Sequence, residues 1–128
     1  GDLYTSIVPN LLIGGIPRAL AKSRAKKVYL CNLMTKFGET NNYRVIDFVR
    51  AVENYLGKNI LDAVVYNNQK PSPGRIAKYR KLNSQIVKYD QKNFKKGFPK
   101  FLGAKLITDK GFIRHNQKRL AKVILGLI

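Results

Sequence analysis

KKVYLCNLMTKFGET, residues 26–40, decides the fold. Its apolar centre, 28–31, reads as a buried β-strand that opens at Asn32 into a polar loop carrying Thr35, Gly38, Glu39 and Thr40. Backbone amides, hydroxyls and a carboxylate therefore gather where a strand ends, which in open α/β sheets is where ligands bind.

The flanking sequence supplies neighbours for that strand. Downstream, Val45, Val49, Val52 and Leu56 recur at helical spacing and Gly57 provides a stop, so an amphipathic helix over 45–56 covers a sheet face. LDAVVY, 61–66, is a second strand, apolar on both faces as in a parallel sheet covered by helices on both sides. It too ends in asparagine, at Asn67 and Asn68. Asparagine is common after strands because it tolerates turns, and two such strand ends could also aim several amides at one crevice. A Pro-Ser-Pro-Gly loop, 71–74, leads into a helix over 75–82 with Ile76 and Tyr79 on one face. Further strands are expected at 85–89 and 104–108, and a last helix, capped by Asn116, presents Leu120, Val123, Ile124 and Leu127 as its apolar stripe. Upstream, 1–12 reads as a short helix capped by Asp2 or Thr5, and Pro17 starts another that ends at Ser23. Strands alternating with helices at these lengths give an α/β fold, a mostly parallel sheet with helices on both faces, and 128 residues suit a single unit over 1–128.

Composition narrows the function classes. One cysteine, Cys31, permits no internal disulfide, and with a single histidine there is no Cys/His set for zinc. Cys31 sits in an apolar strand without a neighbouring base and reads as an inert buried thiol. No apolar run approaches the roughly 18 residues that a membrane helix needs, so a cytoplasmic protein without a membrane span is expected. The net charge of +18 would attract nucleic acid, nucleotide phosphates or an anionic membrane surface. It is concentrated in 70–105, where eleven basic residues face the single acid Asp90. Phe94, Phe98 and Phe101 lie among those lysines, as on a base-stacking platform. A lysine- and asparagine-rich composition accounts for the charge more simply, with the aromatics docked into the core.

No P-loop, GxGxxG, GxSxG or HExxH motif occurs. The blocks GDLYTSIVPNLL, VYLCNLMTKFGET, DAVVYNN, Tyr79 and IRHNQKRLAKVIL, in this order and spacing, resemble the C-terminal half of the gluconeogenesis factor family. These YvcK-like proteins are related to the CofD-like 2-phospho-L-lactate transferases. The resemblance covers nearly all 128 residues and implies a Rossmann-like fold that forms the C-terminal half of a larger domain. It implies binding of a UDP-sugar such as UDP-N-acetylglucosamine and a role in carbon metabolism and cell morphogenesis, with no catalytic residue assigned. In the transferase branch it implies instead phospholactyl transfer from a guanosine diphosphate carrier, with a divalent metal. Carried over by position, Gly1 closes a glycine-rich turn, and Thr5 and Ser6 cap a helix near phosphate. Asn32, Thr35, Asn67 and Asn68 line the crevice, and Tyr79 and Arg114 contact the UDP-sugar.

Arg114 carries a planar fork suited to a diphosphate, whereas His115 has no carboxylate partner in sequence. The chain departs from the family pattern at Asn116, where an acid is usual, and at Phe48, where histidine is usual. The expected partner is the N-terminal half or a second polypeptide completing the site, with a homo-oligomer as another route.

Overall fold

The computed structural model describes residues 1–94, 97 and 99–127. Three strands, β1 (Val28–Leu30), β2 (Ala63–Asn67) and β3 (Lys100–Ala104), form a parallel sheet in the order β1-β2-β3. Val28 pairs with Ala63 and Leu30 with Val65, while Ala63 to Asn67 pair in register with Lys100 to Ala104. The start of the sheet is fastened by Asp62, whose carboxylate accepts from the Lys27 amide at 2.7 Å. That amide, with the Lys27 charge, holds the Asp62 carboxyl below its usual range.

Helix α3 (Val45–Leu56) packs the predicted stripe onto one face, with Val45, Val49, Val52 and Leu56 all buried. Asp47 accepts from the Arg44 amide at 2.8 Å, satisfying an orphan donor at the helix start where a negative charge is favoured. Gly57 ends the helix at φ 106°, a conformation that glycine adopts without steric cost. A π-helical turn (Leu3–Ile7) running into α1 (Val8–Leu11) buries Leu3 and Val8 in the same core, and α2 (Ile16–Lys22) packs behind α3. Tyr29, Cys31, Val64 and Tyr66 are the sheet's contribution to this core. By strand alternation Ala63 and Val65 face the other way, and they too are buried. Helix α5 (Gln117–Leu125) is the last of the described elements. It starts beside Leu106, whose carbonyl accepts from the Asn116 amide, and ends beside β1, where Lys26 donates to the Leu127 carbonyl. Asn116 caps it as expected, its side chain accepting from the Arg119 amide.

Three expectations are corrected. Residues 85–89 are not a sheet strand. They form a strap across the carboxyl end of β1, where Val87 donates to the Leu33 carbonyl, Thr35 donates to Gln85 and Val45 donates to Lys88. Their alternation reflects burial of Val87 in the core beneath the strap. The last strand is Lys100–Ala104, displaced from the expected 104–108. Leu106 and Ile107 are fully buried because they lead into a turn under the sheet's rim, and apolarity alone does not separate that from a strand. Gly103 marks the true strand: a Cβ there would meet the Tyr66 ring at 2.8 Å. At the amino end, Asp2 occupies the N-cap position without a side-chain bond, and its carboxylate pairs with Lys36 at 2.9 Å. Thr5 lies within the helical turn and caps nothing.

In the basic aromatic stretch, Phe94 and Phe101 stack on each other at 4.0 Å, and both pack against the main core. Lys95, Lys96 and Phe98 lie outside the described residues.

Phe48, where the family carries histidine, is the largest of the fully buried side chains. Phe48→Ala is expected to cost about 3–5 kcal/mol, read as a lowered urea midpoint at an unchanged slope. A loss below about 1 kcal/mol would contradict its place in the core.

Candidate functional site

The sheet's carboxyl rim holds two clefts. The larger, about 810 Å³, opens where β1 ends and is lined by Gly1, Asn32, Met34, Ile113, Arg114 and His115, among others. The second, about 540 Å³, opens where β2 ends, between Asn67–Asn68 and the far side of the strap at Lys88 and Tyr89. The strap's backbone bonds to Leu33 and Thr35 divide the rim. The candidate residues therefore do not converge on one crevice.

Gly1, Asn32 and Arg114 share the larger cleft. Asn32 donates to the Gly1 carbonyl at 3.0 Å and accepts from Tyr29 Oη at 3.4 Å, so its amide is fixed in orientation. Arg114 is exposed, with its guanidinium 5.8 Å from the Phe112 ring centroid and free of carboxylate partners among the described residues. Thr5 and Ser6 are exposed in the first helical turn and line none of this cleft.

Thr35 is buried and its hydroxyl accepts from the Gln85 amide at 2.9 Å, fastening the strap. Asn67 is engaged at both ends of its amide: Oδ1 accepts from the amides of Leu106 and Gln69, and Nδ2 donates to the Gln69 carbonyl. Asn68 is exposed at the second cleft. Tyr79 packs against the small cluster of Leu33, Ile107 and Ile113, and its hydroxyl accepts from the Ile113 amide at 2.8 Å. Its contact is thus with the back of the segment that carries Arg114.

Sequence reading missed the turn that presents Arg114. Ile107 bridges His115, Thr108 donates to the Arg114 carbonyl, and Gly111 at φ 70° lets the chain reverse. Lys-Gly-Phe at 110–112 was the available signal, since glycine serves such turns. Arg75 on α4 (Pro73–Arg80) and Arg119 on α5 grip this turn, and nothing local in sequence links Arg75 to partners over 30 positions away.

Two groups in the neighbourhood are chemically quiet. Burial pushes the Cys31 thiol well above its ordinary value, so no thiolate is available. Burial also lowers the His115 imidazole, opposed by the Cys31 carbonyl. Among the described residues, no three His, Cys, Asp or Glu side chains lie together as a metal set. No helix among them is long and apolar enough to cross a membrane.

A parallel sheet flanked by helices, with clefts at the carboxyl ends of its strands, defines a Rossmann-like α/β protein. The family model described as 2-phospho-L-lactate transferase CofD matches residues 1–107. The chain belongs to that family, and its relatives there include gluconeogenesis factors. A Thermotoga maritima protein is 43% identical over 97% of this chain and 40% of its own length. The gluconeogenesis factor of Bacillus subtilis is 33% identical over 100% of this chain and 41% of its own. The crystal structure of a UPF0052 family member from Bacillus halodurans superposes with a TM-score of 0.92 at 34% identity, covering 98% of this chain and 40% of that one. The chain therefore spans about 40% of the length of these relatives.

Two outcomes check this chemistry. Cys31 should resist iodoacetamide at pH 8 until the protein unfolds, as read by intact mass; rapid native-state alkylation would contradict its burial. Because the folded His115 pKa lies below the unfolded value, the unfolded chain binds the extra proton. Stability is thus retained above about pH 6.5 and lost as pH falls below it. His115→Phe should flatten that part of the Tm–pH profile, and an unaltered slope would contradict the assignment.

Proposed function

We propose that this chain forms one wall of a nucleoside-diphosphate site. Its ligand is a UDP-sugar such as UDP-N-acetylglucosamine, and the protein is a non-catalytic cytoplasmic regulator of carbon metabolism and cell morphogenesis. The observation that carries the reading is the meeting of Arg114 and Asn32 in the larger cleft, at the carboxyl end of β1. A planar guanidinium without a carboxylate partner among the described residues suits a diphosphate, and a fixed amide in the same cleft suits a sugar or ribose oxygen. Membership of a family that includes gluconeogenesis factors supports the regulatory role.

The cleft is open on its outer side, and the free edge of β1 adjoins it. The remaining walls come from the part of the relatives' length that this chain does not span, or from another subunit, homo-oligomeric or otherwise. A second reading, phospholactyl transfer with a guanosine diphosphate carrier, is favoured by the family match over residues 1–107. In that reading a divalent metal would accompany the carrier diphosphate, and no three His, Cys, Asp or Glu side chains of the described residues lie together to hold it.

Calorimetry on the full-length protein separates these. UDP-N-acetylglucosamine should bind, and Arg114→Ala should weaken it by about tenfold to a hundredfold, the worth of a charged hydrogen bond. Equal binding by both proteins would remove Arg114 from the site. Preference for GDP together with product formation would favour the transferase.

A further inference from the structure

We infer that Arg75 is a positioning residue for the ligand cleft, acting through the 108–112 turn that carries Arg114 and His115 into it. The inference rests on the assignment of the larger cleft as the ligand site. The guanidinium of Arg75 spends four of its five N–H donors on this one turn. Nε donates to the Gly111 carbonyl at 2.9 Å and Nη1 to the Thr108 carbonyl at 2.6 Å. Nη2 donates to Thr108 Oγ1 at 3.0 Å and to the Phe112 carbonyl at 2.9 Å. Thr108 Oγ1 donates in turn to the Phe112 carbonyl at 2.7 Å, so both ends of the turn are tied to the same plane.

Only the rigid fork of arginine can meet these acceptors together; a lysine ammonium offers a single point charge on a flexible stem. The clamp has no carboxylate partner among the six ion pairs of the described residues, so its charge is spent on three backbone carbonyls and the Thr108 hydroxyl. Four turn oxygens receiving one cation is more than closing a short surface turn requires, since the Thr108 to Arg114 backbone bond already closes it.

What the clamp adds is orientation. Phe112, whose carbonyl Arg75 holds, lies under the Arg114 guanidinium. Tyr79, one helical turn along α4 from Arg75, grips the Ile113 amide. Arg119 donates to the Ile107 carbonyl at 3.0 Å and to both oxygens of Asp109, holding the turn from the α5 side. Helices α4 and α5 thus fix the turn from two directions, and Arg75 makes the largest number of bonds to it. An exposed arginine otherwise loses much of its binding advantage to the entropy of being ordered.

The test compares the full-length protein with Arg75→Lys, Arg114→Ala and the double variant, using UDP-N-acetylglucosamine as the calorimetric probe. Arg75→Lys should weaken binding about tenfold or more. The double variant should bind no more weakly than Arg114→Ala alone, because Arg75 acts only through the turn. Hydrogen exchange gives a readout that needs no ligand: in Arg75→Lys, amides of 106–116 should exchange about tenfold or more faster while those of α3 are unchanged. Additive losses in the double variant, or unchanged exchange at 106–116, would overturn the inference. Normal binding by Arg114→Ala, or no binding by the unaltered protein, would overturn the ligand reading instead, and the exchange result would then decide the clamp alone.

Discussion

Everything in this structure hangs from β2. It is paired in parallel on both edges and buried on both faces, with Val64 and Val65 fully enclosed. A strand in that position must satisfy each amide and carbonyl through its neighbours, because water cannot reach them. The pairing therefore fixes the directions of β1 and β3, and with them the single rim at which all three strands end. The main core under α3 and the smaller cluster under Tyr79 both form against that frame.

The rim is then furnished by chain that is not part of the sheet. The strap at 85–89 borrows the backbone of Leu33 and Thr35 just past β1, and the turn at 108–114 borrows Arg75, Tyr79 and Arg119 from two helices. Polar groups that look available in sequence are often consumed in this work. Thr35 and Asn67 are the clearest cases, since each spends its side chain closing a backbone gap between segments. Removing the Asn67 side chain would leave the buried Leu106 amide unpaired, which explains that polar residue in a buried place without recourse to a ligand.

Period and punctuation made much of the fold legible. Helix α3 was readable from the spacing of Val45, Val49, Val52 and Leu56 and from Gly57, because those signals are local. The strap and the displaced last strand were not, because an apolar run records burial and not hydrogen-bond partners. At the site, Asn32 and Arg114 were legible through the strand end and the family blocks. The separation of Asn67 and Asn68 into another cleft was not, since it depends on a strap fastened some 50 residues from β1 in sequence. Arg75 left no trace at all: one basic residue in a helix with two others becomes a clamp only when the turn from residue 108 onward arrives over it.

The central claim is that ligand sits at the end of β1, between Asn32 and Arg114. A crystal structure of the full-length protein with a UDP-sugar tests it most directly. The account predicts the diphosphate within hydrogen-bond distance of the Arg114 guanidinium and the sugar or ribose beside Asn32. A ligand lodged beyond the strap, in the cleft of Asn68 and Tyr89, with Arg114 untouched, would contradict it.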